Sequence, residues 1–182
     1  MRGLHLLVVV TAAWLSSGCY VVSVHGIADP EAIVFDEALL GQWKNAEGDQ
    51  DPQELLIERD EWRTYVVTLK DRGGEAQRFT VRLVRIGAAQ FFDATIHGGT
   101  EPGPALLPVH IFGRVSVRDG RLELETPDYD WFSGRLDRGG LTVAALRTER
   151  DTILITAAPK QLRRWLAANA AAPMFETTTF VK

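Results

Sequence analysis

From position 42 onward, apolar and polar residues alternate in short runs broken by turn formers, at 42–44, 54–59, 62–70, 77–86, 90–96, 109–118, 121–126, 141–148, 152–157 and 175–181. A period of two places successive side chains on opposite faces of a sheet, so each run predicts a strand with one face on a core. The breaks predict the connections: Gly73-Gly74 and Asp119-Gly120 supply the positive φ of tight hairpin turns, and 149–151 makes a further turn. About eight to nine strands are expected, more than the usual open sheet holds. The fold class implied is all-β, an antiparallel up-and-down barrel wide enough for its own side chains or one small ligand.

Two segments depart from the alternation. In 159–172, Leu162, Trp165, Leu166 and Asn169 share one face of a helix that Pro173 stops, and this C-terminal helix is expected to pack outside the barrel. The segment 128–134 carries Tyr129, Trp131 and Phe132 between turn formers and reads as a short helical cap over the barrel end. Upstream, Asp29-Pro30 opens a helical turn that runs through 37–40 and stops at Gly41. The rest of 19–36 has little pattern and reads as a tether, which places the barrel domain at 37–182. Several runs are apolar on both faces, among them Val81 and Leu83 with Val84 and Ile86, and Phe91 with Phe92. One face fills the barrel; the other needs a cover that the C-terminal helix supplies only in part, and the surplus is left to lie under loops, line a cavity or meet a partner.

The N-terminal segment, 1–18, has a different character. Met1-Arg2 precedes a charge-free apolar run, Leu4 to Leu15 with few interruptions, of the length and polarity of a signal-peptide core. It ends in Ser16-Ser17-Gly18-Cys19, which resembles the lipobox of bacterial lipoprotein signal peptides, with Ser16 where that family usually has Leu. The resemblance implies cleavage before Cys19, diacylglycerol on its thiol, and a mature chain held on a membrane of the cell envelope. Tyr20, where an inner-membrane retention signal would have Asp, implies the periplasmic side of the outer membrane in a diderm cell. The residues leave two alternatives: the apolar stretch through Val24 is long enough to span roughly 30 Å of hydrocarbon as an uncleaved helix, or the signal is an ordinary cleaved one.

Composition narrows the partners. A hydrophobic fraction of 46% with 24% charged residues is that of a folding chain. The single cysteine admits no internal disulfide and no Cys-based zinc or redox pair. Twenty basic against 24 acidic residues give −4, and loss of 1–18 removes only Arg2, leaving −5; with the basic residues scattered, nucleic acid is not an expected partner.

The order helical turn, Gly41-Gln42-Trp43, antiparallel meander, helix and closing strand is similar to the lipocalin and wider calycin group. In that group a Gly-x-Trp on the first strand closes the barrel base and a late arginine packs across the indole; Gly41 and Trp43 match, and Arg147 or Arg150 would supply the cation. The group's second block, a Thr-Asp-Tyr, has no counterpart. The stretches 40–44 and 107–112 also resemble uncharacterised bacterial lipoproteins. What the resemblance implies is a barrel that binds an apolar or amphipathic small molecule; the alternative is a solid barrel that serves as a scaffold for another envelope protein.

Reactive chemistry is poorly supplied. Ser116 and Ser133 lie in no Gly-x-Ser-x-Gly elbow, Glu123 and Glu125 share a solvent face, and Gly73-Gly74 and Gly98-Gly99 open no helix to cradle a phosphate. Asp93, His97 and His110 can be drawn as a two-His-one-carboxylate metal set, but without close ligand spacing they read more simply as polar barrel residues. No catalytic set, metal or cofactor is therefore expected. Ligand contacts are expected from Tyr129, Trp131 and Phe132 at the barrel end, with His97 and His110, and 95–107 is expected to act as a flap.

Overall fold

The computed structural model describes residues 20–46, 53–70, 75–98 and 108–182. Eight antiparallel strands close a barrel: β3 (Gly41–Asn45), β4 (Glu54–Arg59), β5 (Thr64–Lys70), β6 (Ala76–Ile86), β7 (Ala89–Ile96), β8 (Ile111–Arg118), β9 (Arg121–Pro127) and β12 (Phe175–Val181). The first seven form a meander, β12 inserts between β9 and β3, and β6 pairs with β7 to complete the ring. β2 (Ile33–Val34) is an extra strand that pairs with β6 at Leu83 and Val84, beyond the point where β5 leaves that edge. The Asp119-Gly120 hairpin forms as expected, both residues with positive φ, 50° and 73°, joining Arg118 to its partner Arg121.

The alternation sorts residues cleanly between two cores. Inward positions such as Trp43, Leu55, Ile57, Tyr65, Val81, Leu83, Phe92, Leu122 and Phe180 fill the barrel. Outward Val84, Ile86, Phe91 and Phe112 lie beneath a second layer built from α1 (Tyr129–Asp137), α2 (Pro159–Ala168) and a three-stranded sheet. That sheet is β1 (Val21–Ser23), β11 (Ile153–Ile155) and β10 (Ala145–Arg147), with β1 parallel to β11. The cover demanded by strands apolar on both faces is therefore two helices and a small sheet. α2 presents Leu162, Trp165 and Leu166 to this layer, as its periodicity predicts, and ends at Ala168, earlier than the 172 expected. Asn169 caps it by donating from Nδ2 to the Trp165 carbonyl at 2.8 Å.

Three expectations fail in the structure. The runs 141–148 and 152–157 are not barrel strands: they shorten to β10 and β11 and bury Ile153 and Ile155 in the outer layer. A period-two pattern fits any half-buried sheet, and packing chose the second one. The segment 19–36 is not a free tether from Tyr20 onward, because Val21–Ser23 pairs with β11, Ile27 is fully buried, and Arg163 on α2 donates to the Ile27 carbonyl and to Asp29 Oδ2 at 3.4 and 2.8 Å. The aromatic segment is not a cap on the barrel end. Asp128 accepts from the Trp131 amide to start α1, Phe132 is fully buried against the outer wall, and Trp131 meets Phe132 and Trp165 edge-on at 5.0 and 6.4 Å. Residues 1–19, 71–74 and 99–107 lie outside the described residues, and with them the signal segment, Cys19, the Gly73-Gly74 turn and most of the expected flap. No helix among the described residues is long and apolar enough to cross a membrane.

Candidate functional site

One end of the barrel is closed. A 3-10 turn, Glu37–Leu39, folds across it, capped by Asp36, and the Trp43 indole donates to the Leu39 carbonyl at 2.8 Å. Gly41, at φ 124°, turns the chain into β3 in a conformation that a side chain disfavours. The cation over the indole is Lys182, 4.6 Å from the ring centroid. Arg147, expected there, lies in the outer layer instead, bonded to Tyr129, Ser133 and Asp137; β10 left the barrel and carried it away. Tyr65 ties the floor to the wall: its hydroxyl accepts from the Asp36 amide at 2.6 Å and donates to the Asp36 carbonyl at 3.1 Å, while Phe35 stacks on its ring at 4.5 Å. Burial pushes the Tyr65 phenol above its ordinary value.

Above this floor the barrel holds an internal cavity of about 220 Å³. Leu39, Leu83 and Leu122 line its base; Val81, Phe92, Ala94, Ile111 and Val115 line the middle; Leu69, Phe79, Leu124 and Thr126 line the far end. The surface is apolar throughout, Tyr65 and Thr126 presenting only carbon to it. Gly113 on β8 makes room for the wall: a Cβ there would meet the Phe92 ring at 2.7 Å and collide with the Glu125 carbonyl. At the far end Ile96, paired with Phe79 across β6 and β7, is 75% exposed and gives the opening an apolar rim. None of Tyr129, Trp131, Phe132, His97 and His110 lines this cavity, contrary to expectation. The helix carries the three aromatics to the outer wall, and the pleat points both histidines outward.

The outward histidines have different surroundings. His97 Nδ1 is 2.8 Å from Thr80 Oγ1. His110 Nδ1 is 2.6 Å from Asp93 Oδ1, and the other carboxylate oxygen accepts from the Ala28 amide at 2.8 Å. A reciprocal backbone pair with Ser23, at 2.9 and 2.8 Å, fixes His110. Asp93 and His110 line a second concavity of about 750 Å³ on the outer wall, between the N-terminal segment and the β4–β5 turn. Among the described residues no three His, Cys, Asp or Glu side chains gather as metal ligands, so the drawn Asp93–His97–His110 set resolves into one pair and one separate histidine. Asp93 gave a sequence signal, a carboxylate between apolar neighbours on a strand. The cleft residues Trp62, Thr80 and Arg82 gave none, because they meet only through cross-strand register.

No protein-family model, curated protein or solved structure matches the chain.

Proposed function

We propose that the protein is a lipid-anchored lipoprotein of the cell envelope whose barrel binds a small apolar or amphipathic molecule in its interior. The internal cavity is the observation that carries this reading. An apolar void of about 150 Å³ in a protein core stays dry and accepts benzene, while sites for drug-sized ligands run from roughly 300 Å³ upward, so 220 Å³ suits a small apolar molecule or one arm of an amphipathic one. With no polar atom facing the void, recognition is by burial alone, at about 25 cal/mol per Å² of apolar surface, and a polar end would remain at the Ile96 rim. The lipobox-like 16–19 segment supports the anchor. β1 begins at Val21, so lipid on Cys19 would hold the domain close against the membrane with almost no intervening chain.

The scaffold alternative needs a filled barrel, which the apolar cavity argues against. The test is native mass spectrometry of full-length protein extracted with its lipids, paired with titration of a fluorescent fatty acid. A bound mass released on unfolding, or saturable binding at one site, is expected; a bare chain that also fails to bind the probe refutes the ligand reading. The anchor is tested separately by labelling with radioactive fatty acid before and after Cys19→Ala, and label persisting in the variant refutes lipidation at that residue.

A further inference from the structure

The outer-wall cleft is independent of the barrel interior, and we propose that it is a second binding site, for a neutral, hydroxyl-rich ring: a saccharide. Its floor is a prepared hydrogen-bonding group. Asp93 is 3% exposed and, as a carboxylate, accepts on both oxygens, from His110 and from the Ala28 amide. Nδ1 of His110 is engaged by Asp93, so Nε2, with no partner among the described residues, is the ring nitrogen left to meet a ligand. The backbone lies directly against the other side of the ring. A Cβ on Gly26 would stand 2.6 Å from Asp93 Oδ2 and 2.9 Å from His110 Cε1, so glycine permits the segment to seal the pair while His110 still lines the cleft.

The rim carries the second observation. Trp62 sits at the tip of the β4–β5 turn with φ 53°, a left-handed backbone that bulky side chains rarely adopt, and is 64% exposed. The turn is closed without it, by Asp60 and Thr64 backbone bonds and by the Thr64 hydroxyl on the Glu61 carbonyl. Glycine or asparagine would serve such a turn with less strain, so a strained, exposed indole beside a cleft points to contact with a ligand face.

The lining then selects the class. Arg82, which makes no ion pair among the described residues, shares the cleft with Asp60 and Glu61, and Thr80 adds a hydroxyl. Donors and acceptors of both signs stand together, which disfavours an anion or a cation and suits a ring whose hydroxyls both donate and accept. The apolar face of such a ring would stack on the indole. At about 750 Å³ the cleft is within the range of small-molecule sites.

The test is titration of the full-length chain in detergent micelles with chitotriose and with maltotriose, read by saturation-transfer NMR and intrinsic tryptophan fluorescence. Saturable binding of at least one is expected, weakened about tenfold or more in Trp62→Ala and in Arg82→Gln, each altered at a partly or fully exposed side chain. Fatty-acid probe binding in the barrel should stay unchanged in both variants, which separates loss of the cleft from loss of the fold. Absence of saturable binding to both saccharides, or binding by both variants equal to that of the wild type, overturns the proposal.

Discussion

Replacing Ala94 with leucine distinguishes a barrel with a void from a filled one by the sign of a single measurement. Ala94 lies mid-wall, paired with Val81 on one side and Ile111 on the other, and all three face the cavity. Leucine adds three carbons, worth up to about 2.4 kcal/mol at roughly 0.8 kcal/mol each. Fixing its rotamer costs about 0.5–1 kcal/mol, leaving a net gain of about 1.5–2 kcal/mol. Urea unfolding followed by tryptophan fluorescence should show a higher midpoint with an unchanged slope, and thermal unfolding a Tm raised by roughly 3–8 °C. The same variant should bind the fatty-acid probe more weakly, since the added side chain occupies the ligand's volume. If the interior is already filled, leucine overpacks it and destabilises by about 1–3 kcal/mol. A lowered midpoint would therefore refute the cavity, and with it the proposed ligand site.

Two further outcomes follow from the floor and from the outer layer. Tyr65→Phe removes the partner of the Asp36 amide and carbonyl and should cost about 1–3 kcal/mol by urea unfolding near neutral pH. Because burial raises the Tyr65 phenol above its ordinary 10.0, its contribution is fully present below pH 10 and is lost as pH rises through the higher folded value; that component of alkaline destabilisation should be missing from the phenylalanine variant. Phe132→Ala should cost about 3–5 kcal/mol while leaving fatty-acid affinity per folded molecule unchanged, since Phe132 packs outside the wall; a specific loss of affinity would contradict that placement.

The barrel was legible because its strands obey one local rule. In 77–86 and 90–96 the pleat alone assigns Val81, Leu83 and Phe92 inward and Val84, Ile86 and Phe91 outward, and Asp119-Gly120 fixes a hairpin by backbone conformation. The double apolar faces also showed that a cover beyond the C-terminal helix was needed, without saying whether loops, a cavity or a partner supplied it. Its composition was illegible, because Val21–Ser23 finds β11 in parallel across some 130 residues, a pairing that no local pattern encodes. The same non-locality explains the site. Arg147 and Lys182 are both late cations, and only the departure of β10 from the barrel decides between them at Trp43. Asp93 and His110 could each be placed on an outer face by parity, but their contact depends on how β7, β8 and the bridge to Ser23 line up. The aromatics of α1 were misplaced for a related reason: a helix amid strands can cap an end or lie on a wall, and hydropathy favours neither.

The closing strand has a consequence for how the ring is made and unmade. Among the described residues, β12 runs against β9 for seven paired positions but meets β3 at two, Phe180 with Asn45 and Val181 with Lys44, with one further backbone bond from the Ala46 amide to the Thr179 carbonyl at 2.8 Å. Those partners are 135 and 137 residues apart in the chain, whereas every other join in the ring except that of β12 with β9 links strands consecutive in sequence. The meander can zip hairpin by hairpin at little entropic cost, while the final join must wait for the longest loop to close. Contact order thus predicts a seven-strand ribbon with a late clasp, and among the described residues the clasp is the least-paired edge. Subglobal opening, and the fastest amide exchange among the barrel strands, should concentrate along β3 and β12. A small guest could enter the barrel through that edge without passing the Ile96 rim.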